Sequence, residues 1–135
     1  MQVIVDTSVW IDYFKGGAHS SELDFLIDEN LVATNEVVLA ELVPFLRLKK
    51  QNRLIELLGN VSNVPMSIDW NNIIDLQVEC LRSGVNGVGI PDLIIAQNAL
   101  FHHCAIYSLD KHFRFLNDVV KLKCEVDPSV ETIIQ

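Results

Sequence analysis

Short apolar runs alternate with longer segments of helical periodicity along the chain. The first run, Val3-Ile4-Val5, is rich in β-branched residues and too short for a helix, so it predicts a buried strand. The same pattern predicts further strands at residues 31–33, 61–64, 104–107 and 120–124.

Helices are predicted between these runs, where apolar residues recur every three or four positions. Residues that cap helix N-termini open several of the segments, including Asp6-Thr7-Ser8 and Thr34-Asn35, and Gly16 ends the first one. The predicted helices begin near residues 7, 20, 35, 52, 68, 91 and 110, and the clearer ends lie near residues 15, 48, 58, 81 and 102.

This alternation of strands and helices predicts an α/β fold. Consecutive βαβ units give a parallel sheet covered on both faces, so we expect a three-layer α/β/α domain with a short parallel sheet. The 135 residues have the usual size of one domain, and no repeat or linker interrupts them. We therefore predict a single domain over residues 1–135, with binding sites at the carboxyl ends of the strands.

The composition predicts a soluble protein. Half of the residues are hydrophobic and the mean hydropathy is +0.28, which allows a sizeable core. No apolar run reaches the ~18 residues that cross a bilayer, and the N-terminus lacks the basic segment of a signal peptide. Cys80, Cys104 and Cys124 form no CxxC pair and are predicted to be buried in a reducing compartment. We expect a cytoplasmic location and no membrane partner.

The charge is unusual for a protein that binds nucleic acid. The net charge is −8 at pH 7, whereas generic nucleic-acid binders are basic because their cations replace the counterions of the phosphates. The acidic surplus has three possible origins at this point: a carboxylate cluster that holds divalent metal, a basic partner, or ordinary solvated surface.

Two acids stand at predicted strand ends. Asp6 directly follows the first strand, and Asp110 follows the strand at 104–107. The carboxyl ends of parallel strands lie at the same edge of a sheet, so both side chains are expected to face one crevice. The alternative for each is an N-cap without chemistry.

Two further acids stand on predicted helices. Glu41 falls within about 60° of Val37, Val38, Phe45 and Leu48 around its helix, which places a carboxylate in an apolar stripe that needs a cation, a donor or a metal. Asp92 opens a very apolar helix. The alternatives are a stripe-edge Glu41 that reaches water and an Asp92 that complements the helix dipole.

Together the four acids indicate a metal centre. Clustered carboxylates repel each other unless a cation neutralises them, and Mg²⁺ prefers oxygen ligands and completes its shell with water and phosphate. Because no catalytic Cys or His pairing accompanies the acids, they favour metal-assisted phosphodiester hydrolysis over acyl transfer.

At this point the chain resembles the PIN-domain family, and within it the VapC-type toxins of bacterial toxin–antitoxin pairs. The matching segments occur in family order over nearly the whole chain: VDTSVWID at 5–12, NEVVLAEL at 35–42, IPDLIIA at 90–96 and YSLDKHF at 107–113. The resemblance implies a homodimeric endoribonuclease that depends on Mg²⁺ or Mn²⁺. It also implies inhibition by a small antitoxin that reaches the acidic pocket with a basic side chain.

The resemblance also assigns residues to the site. It maps the metal-binding, catalytic acids onto Asp6, Glu41, Asp92 and Asp110, of which the fourth is the least constant in the family. The supporting hydroxyl residues map onto Thr7 or Ser8 and onto Ser108.

The basic residues are few. One cluster follows the helix of Glu41 and is a candidate for phosphate contacts, with a solvated helix end as the alternative. Its members are Arg47, Lys49, Lys50 and Arg53. A second candidate comprises Lys111, His112 and Arg114. Trp10 and Trp70 are predicted core anchors rather than base-stacking platforms.

Several other functions compete with the nuclease. A phosphatase of the haloacid-dehalogenase class needs an Asp two positions after the first, where this chain has Ser8, and a receiver-like module needs an Asp within 63–66, which has none. A non-toxin PIN nuclease in RNA processing and a catalytically silent PIN interaction module both remain open.

Overall fold

The computed structural model describes residues 2–120, and the fold within them is a parallel sheet flanked by helices. The elements are β1 (Val3–Val5), α1 (Thr7–Phe14), α2 (Ser20–Asp28), β2 (Val32–Thr34), α3 (Glu36–Leu48), α4 (Asn52–Asn60), β3 (Ser62–Asn63), α5 (Trp70–Arg82), α6 (Ile90–Phe101), β4 (Ala105–Tyr107) and α7 (Lys111–Val120). They form the three-layer α/β/α arrangement predicted from the sequence.

The side of the sheet on which the chain adds new strands changes at β1. The strand order is β3-β2-β1-β4, and all three pairings are parallel. The register pairs Ile4 with Ala33 on one side and with Ile106 on the other. The chain therefore builds outward from β1 to β3 and then crosses back to place β4 on the opposite side. Such a switch point opens a crevice at the carboxyl ends of β1 and β4, the neighbouring strands between which the order reverses.

Burial explains the apolar composition of three of the four strands. Every residue of β1, β2 and β4 is buried, because helices cover both faces of the sheet. Helix α6 is buried over most of its length, and α3 packs against α1, α4 and α6. This packing brings the start of α6 and the first half of α3 to the crevice beside β1.

The structure corrects several boundaries. Strand β2 lies one residue later than predicted, and β3, at one edge of the sheet, contains only the exposed pair Ser62–Asn63. The strand predicted at 120–124 begins on the last residue of α7 and otherwise falls outside the described residues. His19, rather than Ser20 or Ser21, occupies the N-cap position of α2, without a side-chain cap.

The two tryptophans differ in burial. Trp10 is fully buried, as predicted, whereas Trp70 is 57% exposed at the start of α5, so its assignment to the core was wrong. Cys80 and Cys104 are free and buried, which confirms the predicted burial, and Cys124 lies outside the described residues. Among the helices described, none combines the length and the apolar character needed to cross a membrane.

Candidate metal centre

Asp6 and Asp110 meet at the switch point. Asp6 follows β1, and its main-chain N–H donates to the carbonyl of Tyr107 at the end of β4 across 2.9 Å. The pairing of the two strands thus continues one residue beyond the sheet. It sets Asp6 beside the segment that leads through Ser108 to Asp110, as the strand-end argument predicted.

Two serines hold the Asp6 carboxylate. Ser108 Oγ donates to Asp6 Oδ2 at 2.8 Å, and Ser8 Oγ donates to the same oxygen at 2.9 Å. Asp6 stands at the N-cap of α1 but makes no side-chain cap, so its carboxylate is directed to the serines instead. The alternative of a plain N-cap therefore does not describe Asp6.

The same serines fix the loop after β4. Ser8 Oγ accepts the main-chain N–H of Leu109 at 3.0 Å, and Ser108 Oγ accepts that of Asp110 at 2.9 Å. Each hydroxyl donates its single hydrogen bond to Asp6 and, with a lone pair, accepts a hydrogen bond from a main-chain N–H of the loop. Asp6 and Asp110 are consequently held in a fixed relation by a short network of hydrogen bonds.

Asp6 carries an unfavourable charge in this position. The residue is only 6% exposed, and this burial raises the pKa of its carboxyl group. The hydrogen bonds from Ser108 and Ser8 oppose the increase, and the charge of Asp110 adds to it. A nearby cation would relieve this penalty.

Asp92 completes a group of interacting acids from the first turn of α6. Burial and the charges of Asp110, Asp6 and Glu41 together raise its pKa to about 6, against an opposing effect of His112. All four predicted acids therefore lie close enough to influence one carboxyl group. The structure brings the whole predicted set together.

Glu41 joins the group from an exposed position. The buried face of α3 is formed by Val38, Leu42 and Leu46, so Glu41 lies at its edge and the premise of a carboxylate inside an apolar stripe was wrong. Partial burial of the carboxyl group and the charge of Asp6 nevertheless raise its pKa. The alternative, a glutamate at the edge of the apolar stripe, agrees with the exposure of Glu41 but does not explain why Glu41 lies near the other acids.

Thr7 supplies an unsatisfied hydroxyl beside these acids. Its Oγ1 is buried and has no hydrogen-bond partner among the described residues. It is near enough to the Glu41 carboxylate to lower the pKa of Glu41, but lies outside hydrogen-bonding geometry. A buried hydroxyl without a partner is rare, and it suits a ligand or ordered water at this place.

A buried amide pair fixes the distance between the helices that carry Glu41 and Asp92. Asn35 caps α3 by accepting the N–H of Val38 at 2.9 Å, and its Nδ2 donates to Asn98 Oδ1 of α6 at 2.9 Å. Asn98 in turn donates to the carbonyl of Pro65 at 2.9 Å. Sequence reasoning missed Asn98, although a polar residue within the apolar run of α6 was an available signal.

His112 also lies at the site. Its Nδ1 is 3.3 Å from Asp110 Oδ1 and 3.7 Å from Asp92 Oδ2, and its main-chain N–H donates to Asp110 Oδ1 at 2.9 Å. One ligand atom from each of the three side chains lies within 4.8 Å of the other two. The sequence suggested His112 only as a weak candidate for phosphate contacts, together with Lys111 and Arg114.

The donor set fits a divalent cation. Several carboxylates with raised pKa values converge on a crevice that also contains the unpartnered Thr7 hydroxyl. Oxygen ligands of this kind are those that Mg²⁺ and Mn²⁺ prefer, and a bound cation would reverse the electrostatic penalty of their clustering.

The basic cluster lies apart from these acids. Its four members are exposed around the junction of α3 and α4, and no described ion pair links them to the site: Arg47, Lys49, Lys50 and Arg53. Arg47 is six residues beyond Glu41 on the same helix, which corresponds to about 9 Å along its axis. A role in contacting RNA stays a prediction.

Known structures share this fold. The chain is similar to VapBC2 from Rickettsia felis bound to a DNA fragment from the promoter, with a TM-score of 0.71 and 20% identity over 90% of this chain and 96% of the other. It is similar to FitAcB from Neisseria gonorrhoeae, with a TM-score of 0.65 and 23% identity over 87% and 94%. It is also similar to DNA-bound VapBC from Salmonella typhimurium, with a TM-score of 0.66 and 19% identity over 93% and 97%.

A family profile matches most of the chain and assigns it to a protein family. No curated protein sequence matches the chain. The profile described as PIN domain matches residues 3–118, which include all four acids and every element of the sheet. PIN domains are generally metal-dependent nucleases. The chain therefore belongs to the PIN-domain family.

Proposed function

We propose that this protein is a divalent-metal-dependent endoribonuclease and the toxin of a toxin–antitoxin pair. The observation that carries the proposal is the convergence of Asp6, Glu41, Asp92 and Asp110 at the switch point of the sheet. The convergence is reflected in the pKa of Asp92, which burial and the charges of the other three acids raise to about 6. Membership of the PIN-domain family supports the class of reaction.

The four carboxylates would hold Mg²⁺ or Mn²⁺. When bound, the cation supplies Lewis-acid polarisation of a phosphodiester and offsets the negative charge that develops during hydrolysis. The residues of the chain supply the orientation. Ser8 and Ser108 fix Asp6, and the link from Asn35 to Asn98 fixes the separation of α3 and α6.

RNA is the proposed substrate because of the resemblance to VapC-type toxins. The structural neighbours, which are VapBC and FitAcB proteins, support the toxin–antitoxin assignment. An antitoxin with a basic side chain would be attracted to a pocket of four acids, and such a partner also suits the net charge of −8. Co-expression tests this part: the wild type should arrest growth, Asp6→Asn should not, and the product of an adjacent small gene should relieve the arrest.

Cleavage in vitro tests the enzyme directly. Purified protein, freed of any partner, is incubated with a mixed cellular RNA pool and with single-stranded DNA, each in Mg²⁺, Mn²⁺ or EDTA. We expect RNA cleavage that needs metal and disappears in Asp6→Asn. Glu56→Gln is the matched control, because Glu56 is an exposed acid on α4 that is not part of the site. Equal activity in EDTA, or in Asp6→Asn, would contradict the proposal.

A homodimer is also proposed. An exposed apolar stripe runs along α5 at spacings of four, four and three residues, and comprises Trp70, Ile74, Val78 and Leu81, which are 57%, 59%, 43% and 58% exposed. Monomeric proteins seldom leave such a contiguous patch in water, and one helix face can pack against its own copy about a two-fold axis. We expect wild type to elute as a dimer and Ile74→Glu as a monomer in light-scattering chromatography; a monomeric wild type would contradict this part.

A further inference from the structure

His112 stands where a further metal ligand, beside the carboxylates, would stand. Its Nδ1 lies 3.3 Å from Asp110 Oδ1 and 3.7 Å from Asp92 Oδ2. Adjacent ligands around an octahedral cation with bonds of ~2.1 Å are about 3 Å apart. The imidazole and the two carboxylates are therefore already spaced nearly as ligands of one ion, with only small adjustments needed.

The local structure holds His112 in this place. Its main-chain N–H donates to Asp110 Oδ1 at 2.9 Å, so the first turn of α7 and the Asp110 carboxylate are tied together. The neighbouring Phe113 is fully buried, which anchors the turn in the core. The loop between α5 and α6 passes on the other side of the ring, since a Cβ built on Gly87 would lie 3.6 Å from His112 Nε2.

We infer that His112 is a direct nitrogen ligand and makes the centre selective for Mn²⁺ over Mg²⁺. This inference rests on the proposed metal-dependent nuclease. Imidazole is a good ligand for first-row transition metals, whereas Mg²⁺ takes oxygen ligands and keeps several waters. A site in which one imidazole joins the carboxylates thus discriminates between two ions that a purely carboxylate site binds alike.

The alternative is that His112 only positions Asp110. In that case its ring would accompany the acids without touching the ion. Both arrangements bring the ring near the carboxylates, so loss of activity in a variant cannot separate them. Direct detection of nitrogen bound to the metal can.

The experiment uses electron paramagnetic resonance of Mn²⁺ added to the full chain. We expect pulsed spectra of the wild type to show the ¹⁴N coupling of a directly bound imidazole. The coupling should vanish in His112→Gln and persist in His102→Ala, the control, because His102 is an exposed histidine at the end of α6 that is not part of the site. Titration should show that His112→Gln weakens Mn²⁺ binding at least about tenfold.

Competition by Mg²⁺ completes the test. The Mg²⁺ affinity of His112→Gln should change by less than about threefold, since that ion does not depend on the nitrogen. Mn²⁺ binding that is lost in Asp92→Asn but shows no ¹⁴N coupling in the wild type would overturn the role of His112 and leave the proposed function standing. Absence of any Mn²⁺ or Mg²⁺ binding by the wild type would overturn both. The wild-type spectrum decides these outcomes even where a variant fails to fold.

Discussion

Replacing Asp92 by asparagine should stabilise the metal-free protein. The ionised carboxylate is held in a partly buried place among three other acids, and its pKa is raised from 3.8 to about 6. The folded state therefore binds a proton more tightly than the unfolded state does. At neutral pH that proton is lost, so the charged carboxylate destabilises the folded state relative to the unfolded state. Asparagine has nearly the same shape and carries no charge.

The size of the effect follows from the shift. A displacement of one pKa unit corresponds to about 1.4 kcal/mol, so the shift to about 6 corresponds to an upper limit of ~3 kcal/mol. The side chain is 21% exposed, which keeps solvent screening limited. Because the pKa is raised in the folded state, the stability that Asp92 contributes is fully present only below its unfolded pKa of 3.8, and it is lost as the pH rises through about 6. The advantage of Asp92→Asn should thus be small at pH ~4 and complete by pH ~7.5.

Urea unfolding measures the difference. In EDTA at pH ~7.5, Asp92→Asn should be more stable than wild type by up to ~3 kcal/mol, whereas Glu56→Gln should stay within about 0.5 kcal/mol. Saturating Mn²⁺ or Mg²⁺ should reverse the order, because only the wild type gains the free energy of metal binding. If Asp92→Asn in EDTA proved equal to or less stable than wild type, the interpretation of this crevice as a set of mutually repelling acids would be refuted.

Three further predictions concern the surroundings of the acids. Ser108→Ala removes one of the hydrogen bonds that hold Asp6, so metal affinity measured by calorimetry should fall about 10–100-fold, and an unchanged affinity would contradict the positioning role. Asn98→Leu leaves the Pro65 carbonyl and the Asn35 amide without their partner, so the free energy of urea unfolding should fall by about 1–3 kcal/mol per unsatisfied group. A decrease below about 0.5 kcal/mol would show that these hydrogen bonds do not stabilise the fold. Neutralising Lys49 and Lys50 together, in the catalytically inactive Asp6→Asn protein, should weaken RNA binding regardless of the RNA sequence. The slope of the logarithm of the binding constant against the logarithm of the salt concentration should fall by about 2, with Lys15→Ala as control. An unchanged slope would show that this cluster does not contact RNA.

The sequence predicted the fold because the buried strands and helices have distinct periodicities. Runs such as Val3–Val5 are too short and too β-branched for helices, and their alternation with helices implies the parallel sheet. Prediction failed where burial depends on tertiary neighbours. Helix α5 has one apolar face in the core, with Ile73, Leu76 and Cys80, and a second apolar face in water, which includes Trp70. Periodicity indicates a helix here but does not say which apolar face is buried.

The candidate site was predictable to the extent that topology defines it. Asp6 and Asp110 follow neighbouring parallel strands, so their proximity follows from strand order alone. Glu41 was selected on the wrong premise, since the buried face of α3 centres on Leu42 rather than on Glu41. The contacts of Asn98 and His112 depend on how α6 packs against α3 and α7, which no local pattern specifies.

The candidate metal centre accounts for only part of the acidity of the chain. The four site acids are four of the 18 Asp and Glu residues, so neutralising them would halve the net charge from −8 to −4 and leave the chain acidic. Cation binding at the site therefore does not turn this protein into a general binder of polyanions. RNA would have to be retained by a local contact, for which the basic cluster after α3 is the proposed place. The remaining negative surface favours a basic protein partner, because long-range attraction raises the rate of association with a partner of opposite charge. High salt should consequently slow association of the proposed antitoxin, and weaken the proposed RNA binding only to the extent of the few cations in contact with phosphate.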